Sequence, residues 1–267
     1  MYYIYGQKVV THNGIFHADE VFAIALLCRF DYVSEIIRTR DSSVIEEALN
    51  NQNTIVVDCG GQYNPLIMNF DHHQDLMLPA SNMLILFALK NHILRGVYAD
   101  KLAKKLFLAI SDYDVNRDNV HTQWAEFNNG KNLMNMNQII AGFNRNPSDD
   151  VLQMEYFEKA IKYAIQIIDN IFYQIEEEIQ AESIYDNKKV INDCVAVFSE
   201  FCPIWKEKDE FIFVIQPNPQ GWALMTKDSS KYPLPDIEHK DLIFAHKGKF
   251  IAVFSTKEAA IEVASTL

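Results

Sequence analysis

The hydrophobic and polar positions of the chain follow two patterns, and the change between them lies near residue 150. In the first part, short β-type runs such as Lys8–Val10 and the apolar Ile55–Val57 alternate with longer segments whose apolar positions recur at helical spacing. A wholly apolar run is typical of a parallel strand that is covered on both faces. Strands that alternate with helices predict an α/β fold with a mostly parallel, doubly wound sheet. Helices are predicted at Glu20–Phe30, Ser42–Asn51, Leu84–Leu94 and Asp100–Ile110.

The second part begins with one long helix. Between Val151 and Ser183, apolar residues recur every three or four positions, which predicts an amphipathic helix. From Lys189 onward the pattern changes to β runs, and a helix at Thr256–Ala264 follows the last of them. We therefore expect three segments: an α/β domain at 1–148, a connecting helix at 149–184 and a smaller α+β domain at 185–267.

Composition and charge limit the partners of the protein. The 267 residues include 24 Lys plus Arg against 36 Asp plus Glu, a net charge of −12. Because long duplex nucleic acid is bound by clustered cations, this balance argues against duplex DNA, whereas metal ions can neutralise the phosphates of a short nucleotide. No apolar run reaches transmembrane length, and Tyr2–Tyr5 predicts a strand rather than a secretion signal. We expect a cytoplasmic protein that does not bind membranes, has reduced cysteines, and is either a monomer or a homo-oligomer.

The candidate chemistry begins at the turn after the first predicted strand. Thr11–Glu20 links that strand to the first helix, and open α/β sheets bind their ligands at such strand ends. Within eight residues the turn contains His12, His17 and Asp19, which are nitrogen and oxygen donors suited to a divalent transition metal. For this stretch alone, a polar helix cap with incidental histidines is the alternative.

Further donors follow at the ends of the next elements. Asp58 ends a strand, Asp71-His72-His73 lies in the loop after the following strand, and Asp112 ends the helix near residue 110. Each alone is more often a cap or surface residue, but several at consecutive strand ends predict one metal-binding crevice. Imidazole and carboxylate donors without a thiolate favour two Mn²⁺ ions, with Mg²⁺, Co²⁺ or Fe²⁺ as alternatives. Two ions roughly 3.5–4 Å apart can activate water and stabilise both oxygens of a phosphoryl transfer.

Three segments of the chain, Thr11–Glu20, Val57–Pro65 and Phe70–Gln74, resemble the motifs of a known family. They are similar to the melanocyte-proliferating-gene family, also labelled metal-dependent protein hydrolases, within the DHH phosphoesterase superfamily. The likeness covers nearly the whole chain and includes Arg38–Asp41 and Phe244–Phe250. It implies a DHH-like metal-binding catalytic domain at 1–148, a substrate-binding domain at 185–267 and an active site in the cleft between them.

The resemblance also implies the ligands of two metal ions. One ion would be held by His12, His17, Asp58 and Asp112, and the other by Asp19 and His72, with Asp58 and Asp112 shared. His73 would contact the scissile phosphate, and Asp71 would orient the neighbouring imidazole. Family members usually carry Asp-Asn-Gly in the fourth motif, where this chain has Asp112-Tyr113-Asp114. Asp112 is the preferred ligand and Asp114 the alternate.

Substrate contacts are predicted in both domains. Arg38 and Arg40 end a predicted strand and are candidates for clamping a phosphate, although a strand-end Arg is as often paired at the surface. Phe244–Gly248 resembles the substrate-gripping segment of DHH-associated domains. This resemblance makes three residues candidates for holding a phosphate or terminal nucleotide: His246, Lys247 and Gly248.

The expected function is a manganese-dependent phosphodiesterase of the 3′-5′ exonuclease type, which hydrolyses RNA or short oligonucleotides by a two-metal mechanism. A pyrophosphatase, a cyclic-dinucleotide phosphodiesterase and a phosphomonoesterase are alternatives that would use the same site. A non-catalytic, metal-binding regulatory protein is the alternative from another class.

Overall fold

The chain divides into two compact units, Met1–Ile175 and Glu176–Leu267. The computed structural model describes residues 6–75, 77–90, 92–116, 134–146 and 148–267, so the strand predicted at Tyr2–Tyr5 lies outside the described residues. A β-sheet forms within each unit, one of five strands and one of six.

The first unit alternates strands with helices, as the hydrophobic pattern predicts. Its strands are β1 (Gln7–Thr11), β2 (Val33–Arg38), β3 (Thr54–Val57), β4 (Tyr63–Asn64) and β5 (Asn69–Phe70). Its helices are α1 (Ala18–Arg29), α2 (Ser42–Leu49), α3 (Ser81–Leu89), α4 (Gly96–Leu102), α5 (Leu108–Val115), α6 (Met136–Ala141) and the first part of α7 (Asp150–Asp186). A π-helical turn, Ala103–Phe107, joins α4 to α5.

The sheet of this unit is mostly parallel and has helices on both faces. Its strand order is β2-β1-β3-β5-β4, and only the pairing of β4 with β5 is antiparallel. Helix α2 packs over the face that carries Val10 and Val56. Because side chains alternate along a strand, the buried Val9 and Ile55 point to the other face, where α1 contacts β3 and α3 contacts β5. The prediction of an α/β fold with a doubly wound sheet is confirmed.

This topology brings three strand ends to one edge of the sheet. Strands β1, β3 and β5 run parallel, and the residues that directly follow them are His12, Asp58 and Asp71. The N-terminal ends of α1 and α3 lie at the same edge, since the Ser81 side chain contacts Asp58 and the Ser81 N–H donates to Asp19 Oδ2 in the first turn of α1. The polar residues between strands and helices are therefore gathered beside a buried apolar sheet.

Two helix boundaries differ from the prediction in ways that affect this edge. Helix α3 begins at Ser81 rather than at Leu84, because the polar Ser81 and Asn82 are buried in its first turn. The helix predicted to end at Ile110 continues to Val115, since no helix-breaking residue lies between them.

The second unit combines a mixed sheet with helices, as expected for an α+β domain. Its strands are β6 (Lys189–Ile191), β7 (Val195–Val197), β8 (Phe213–Asn218), β9 (Gly221–Thr226), β10 (Leu242–Ala245) and β11 (Ile251–Phe254). Their order is β10-β11-β9-β8-β7-β6, and only β7 and β8 pair in parallel. Helix α8 (Lys257–Ala264) packs its alanines against Leu224 and Phe254 in the core of this unit.

Candidate metal centre

The turn between β1 and α1 contributes the first donors. Loop His12–His17 follows β1, and His17 directly precedes α1. Glu20 Oε1 accepts a hydrogen bond from the backbone N–H of His17 (2.7 Å), which fixes the first turn of the helix. Asp19 and Glu20 are only 1% and 0% exposed in that turn, where the positive end of the helix dipole favours carboxylates.

Asp58 is the central carboxylate of the site. It directly follows β3 and has a φ of 57°, in the left-handed region that strains a residue with a Cβ. Its backbone N–H donates to the carbonyl oxygen of Phe70 (3.1 Å). Its Oδ2 lies 3.2 Å from His12 Nε2, and its Oδ1 lies 3.3 Å from His72 Nε2. This backbone geometry therefore holds the two carboxylate oxygens against imidazoles from two different loops.

Three groups of side chains bring their donor atoms within 4.8 Å of one another. Asp58 and His17 each belong to two of these groups, so the three groups form one continuous cluster. A shared carboxylate of this kind is suited to bridging two metal ions. A cavity of about 240 Å³ borders the cluster and is lined in part by His17, Asp58, His72 and Asp114. The groups are His12–His17–Glu20–Asp58, Asp58–His72–His73 and His17–Asp19–Asp114.

Three buried side-chain atoms that could ligate a metal lack hydrogen-bond partners among the described residues, which indicates that the cluster fits a divalent metal. Asp19 Oδ1, Glu20 Oε2 and His72 Nε2 are buried and make no hydrogen bond within the part of the chain that the structure describes. Leaving such an atom unpaired costs about 1–3 kcal/mol, and most buried polar atoms are paired. A bound cation would satisfy all three, and nitrogen and oxygen donors suit Mn²⁺, Mg²⁺, Fe²⁺ or Co²⁺.

The charged groups of the cluster shift one another's pKa values. Burial alone would lower the pKa of His12, but hydrogen bonds to Asp58 and Glu20 outweigh it and raise this pKa to about 10. Burial would raise the pKa of Asp58, but the neighbouring His12 and His72 outweigh it and lower this pKa. Burial and the negative charges of Asp58 and Glu20 raise the pKa of Asp19 well above its usual value. A bound cation would relieve this repulsion among carboxylates.

Helix α5 carries both candidates for the fourth acidic ligand. Asp112 is exposed and lies outside the three donor groups. Asp114 Oδ2 lies 3.3 Å from His72 Nε2, and Asp114 belongs to the third group. Asp114 follows the buried Ile110 by one helical turn and therefore lies on the same face of α5. Asp114, the alternate ligand, thus lies within the donor cluster, and Asp112, which the family motif prefers, does not.

Asp71 orients the exposed imidazole beside the cluster. Its Oδ1 lies 2.7 Å from His73 Nδ1 and accepts a hydrogen bond from the backbone N–H of His73 (3.1 Å). Its Oδ2 accepts a hydrogen bond from the Gly61 N–H (2.7 Å). The His73 ring stacks on His72 with centroids 4.5 Å apart, and 62% of its side chain is exposed. The contact with Asp71 raises the pKa of His73.

Two residues of the site were missed by the sequence analysis. Glu20 lies three positions after His17, and this spacing is the capping-box signal that could have placed it in the first turn of α1. Ser81 Oγ lies 3.0 Å from Asp58 Oδ1 and 3.1 Å from the carbonyl oxygen of Phe70. A serine before an apolar run signals a helix start. The contact of Ser81 with Asp58 depends on the fold, and no local sequence pattern predicts it.

The two predicted phosphate clamps both contact the loop between β1 and α1. Arg38 is half-buried, its Nη2 donates to the Gly14 carbonyl (2.7 Å), and its guanidinium lies over the Phe157 ring. Arg40 is exposed, and its Nη2 lies 3.2 Å from His12 Nδ1. Arg38 thus holds the loop, whereas Arg40 lies at the surface beside the donor cluster.

The predicted substrate-binding residues of the second unit form an exposed hairpin between β10 and β11. His246 Nδ1 accepts a hydrogen bond from the backbone N–H of Gly248 (2.9 Å). The His246 ring packs on Phe250 with centroids 4.2 Å apart. His246, Lys247 and Gly248 are all exposed, so a ligand can reach them.

The motifs of this site lie in the part of the chain that matches a family model. The model MYG1_exonuc, described as an uncharacterised protein family (UPF0160), matches residues 8–83. The MYG1 protein of Dictyostelium discoideum is 26% identical to this chain, over 96% of this chain and 94% of that protein. The MYG1 exonuclease of Mus musculus is 46% identical over 69 residues, which are 25% of this chain and 17% of that protein.

Among solved structures, a pGpG-specific phosphodiesterase, PggH, from Vibrio cholerae is 13% identical and covers 97% of each chain with a TM-score of 0.37. The donor cluster could hold a divalent metal ion, and the mouse relative is named an exonuclease. The chain is similar to the MYG1 proteins over most of its length, and the family resemblance that its motifs indicate is confirmed.

Proposed function

We propose that this protein is a 3′-5′ exonuclease-type phosphodiesterase, which uses two divalent metal ions, preferably Mn²⁺, to hydrolyse RNA or short oligonucleotides. The observation that carries the proposal is the position of Asp58, whose two oxygens face imidazoles from separate loops and which belongs to two donor groups. A carboxylate shared in this way is the characteristic feature of a two-metal phosphoesterase site. The name of the mouse relative, an exonuclease, supports the same choice of reaction.

Each ion would be held by residues that the structure brings together. We assign His12, His17, Glu20 and Asp58 to one ion, and Asp19, His72 and Asp114 to the other, with Asp58 shared. When bound, the ions would supply positive charge at the scissile phosphate and activate water. Glu20 enters this assignment because its Oε2 is buried without a partner, and Asp114 replaces Asp112 because only Asp114 reaches the cluster.

His73 would bind the scissile phosphate directly. Its Nδ1 is engaged by Asp71, so Nε2 is the ring nitrogen that would donate to a phosphate oxygen. The same contact favours the protonated, positively charged form of the ring, which is the better partner for a phosphoryl oxygen. Asp71 acts through His73 and is a positioning residue.

The substrate that fits best is a short single strand. The chain has a net charge of −12, so binding would depend on local contacts with phosphates rather than on a broad basic face. Arg40 beside the cluster and His246, Lys247 and Gly248 of the exposed hairpin would supply such contacts. An imidazole and a phenyl ring packed together at the hairpin can also stack on a terminal base.

The test is cleavage of a 5-nucleotide RNA labelled at its 5′ end, with Mn²⁺ and with EDTA. We expect a ladder that shortens from the 3′ end, which EDTA abolishes and Asp58→Asn reduces by at least about a thousandfold, because the bridging carboxylate is lost. Asp31→Asn is the matched control, since Asp31 is exposed in the turn between α1 and β2 and Asn tolerates its left-handed backbone.

Other outcomes would separate the alternatives. Cleavage that survives Asp58→Asn would contradict the site assignment and indicate a contaminating nuclease. Bound metal without RNA cleavage, together with hydrolysis of pyrophosphate or of a cyclic dinucleotide, would replace the proposed substrate but keep the site. Bound metal with no hydrolysis of RNA, pyrophosphate or a cyclic dinucleotide would favour the alternative of a non-catalytic, metal-binding regulatory protein.

A further inference from the structure

The loop that supplies His12 and His17 has few anchors of its own. Of the residues between the two histidines, Phe16 is completely buried, whereas Ile15 is 55% exposed and Gly14 has a positive φ of 81°. A six-residue connection with a glycine at its centre leaves the backbone many conformations. Its geometry in the folded protein must therefore be set by contacts from elsewhere in the chain.

Asn144 provides one of these contacts from a segment far away in the sequence. Its Oδ1 accepts a hydrogen bond from the Phe16 N–H (2.9 Å), and its Nδ2 donates to the Phe16 carbonyl (2.7 Å). The side-chain amide thus pairs with both backbone groups of one residue, as a neighbouring β-strand would. These two bonds restrict the rotation of the Phe16 backbone, and the next residue is His17, which belongs to two donor groups.

The Phe16 ring also makes contacts that fix its position. It packs edge-on against Phe157 of helix α7, with ring centroids 5.1 Å apart. The Arg38 guanidinium lies over both rings, 5.2 Å from the Phe16 centroid and 4.4 Å from that of Phe157, and donates to the Gly14 carbonyl. The ring contacts fix the position of the loop, and the Asn144 amide fixes the orientation of the peptide that leads into His17.

We propose that Asn144 is a positioning residue for the metal centre, which it serves by holding the Phe16 backbone so that His12 and His17 are preorganised for metal binding. The inference rests on the proposed metal centre, and it assigns a role there to a residue that supplies no ligand atom. Residues that orient ligands without touching the metal typically change metal affinity by 10- to 100-fold. Asn144 would act through the backbone of the ligand loop, so an effect near the lower limit is expected.

The test is Co²⁺ titration of the chelator-treated, full-length protein, followed by the visible absorption of the bound ion. Asn144→Ala is expected to raise the Kd for Co²⁺ about tenfold and to change the absorption spectrum, because His17 is no longer held in one orientation. Asn144→Asp has the same size and keeps the acceptor for the Phe16 N–H, but it loses the donor and places a carboxylate beside the Phe16 carbonyl. It is expected to weaken Co²⁺ binding as well.

Asn135→Ala is the matched control. Asn135 is also half-buried, and its Oδ1 accepts a hydrogen bond from the backbone N–H of Gln138, which caps the start of α6. Its own backbone N–H donates to Gln138 Oε1, and neither contact involves the ligand loop. The Asn135→Ala variant should lower the unfolding midpoint of the chelated protein about as much as Asn144→Ala does. It should leave the Kd for Co²⁺ unchanged.

Three outcomes distinguish the hypotheses. Equal Co²⁺ affinities of Asn144→Ala, Asn135→Ala and wild type would overturn the positioning role and leave the metal centre intact. Equal losses of affinity in both alanine variants would also overturn it, since a general loss of stability would then explain the effect. A wild-type protein that does not bind Co²⁺ would instead contradict the proposed metal centre itself.

Discussion

At the scale of single residues, the buried carboxylates of the site repel one another, and a bound cation would relieve this repulsion. Asp19 and Glu20 are completely buried one after the other in a helix, and Asp58 lies close enough to raise the pKa of Asp19. Without a metal, the proton that His12 holds between Glu20 and Asp58 partly replaces the missing positive charge. The chelated protein should therefore depend on protonation for part of its stability.

We predict that the stability of the chelated protein falls as pH rises from about 6.5 to about 10. The folded protein raises the pKa of His12 from 6.5 to about 10, so it holds a proton that the unfolded chain releases above pH 6.5. The stabilising contribution of His12 is complete below pH 6.5 and is lost as pH rises through about 10. Asp19 contributes with the same sign, because its pKa is also raised.

The measurement is the thermal unfolding midpoint in EDTA at several pH values between 6 and 9, for wild type and for His12→Gln. The decline with pH should be steeper in wild type than in the variant, which has no proton to lose at this position. Parallel curves for the two proteins would contradict the assignment. Added Mn²⁺ should raise the wild-type midpoint most at the alkaline end, because metal and proton compete for His12.

At the scale of secondary-structure elements, the sequence predicts which strands and helices form and where most donors lie. The apolar run before Asp58 and the spacing of donors after strands were sufficient to predict one crevice at the sheet edge. The prediction was weaker at helix ends. A helix that ends near Ile110 makes Asp112 its terminal donor, and the family resemblance also favours Asp112, whereas the continuation to Val115 places Asp114 on the face that Ile110 buries.

Contacts between distant segments could not be predicted from the sequence. Local periodicity carries no information about the pairing of Asn144 with Phe16, whose residues lie 128 positions apart, or about the placement of Ser81 beside Asp58. Such contacts depend on how helices dock on the sheet. The π-helical turn before α5 is similar, because an extra residue in one turn changes the helix phase without a clear sequence signal.

We predict that Asp114 is a metal ligand and Asp112 is not. Asp114→Asn should weaken Mn²⁺ binding by at least about 100-fold and reduce RNA cleavage correspondingly, because a charged donor of the cluster is lost. Asp112→Asn makes the same chemical change two residues away, on the exposed side of the same helix, and should leave both unchanged. Calorimetric titration of the chelated proteins with Mn²⁺ measures the difference. The opposite ranking of the two variants would restore the assignment taken from the family motif.

At the scale of the whole molecule, the negative charge limits what kind of substrate would bind. Among the described residues, no helix combines the length and hydropathy that crossing a bilayer requires. The 36 acidic side chains outnumber the 24 basic ones, so a long polyanion would be repelled wherever it left the neighbourhood of the proposed metal ions and a few basic groups. The exposed hairpin of the second unit concentrates some of these groups around Lys247.

We predict that Lys247→Ala raises the KM for a 5-nucleotide RNA about tenfold at low salt and leaves kcat unchanged. The substitution removes one charge-assisted contact with a phosphate, worth about 1.5 kcal/mol, and this contact lies outside the reacting centre. The dependence of log(1/KM) on log salt concentration should become shallower by about 0.7, the contribution of one phosphate contact in a single strand. Lys240→Ala is the control, since Lys240 is exposed at the other end of β10 and carries the same charge. A change in the salt slope that is equal in both variants would show that net charge alone controls binding. A drop in kcat with unchanged KM would mean that Lys247 does not bind substrate in the ground state.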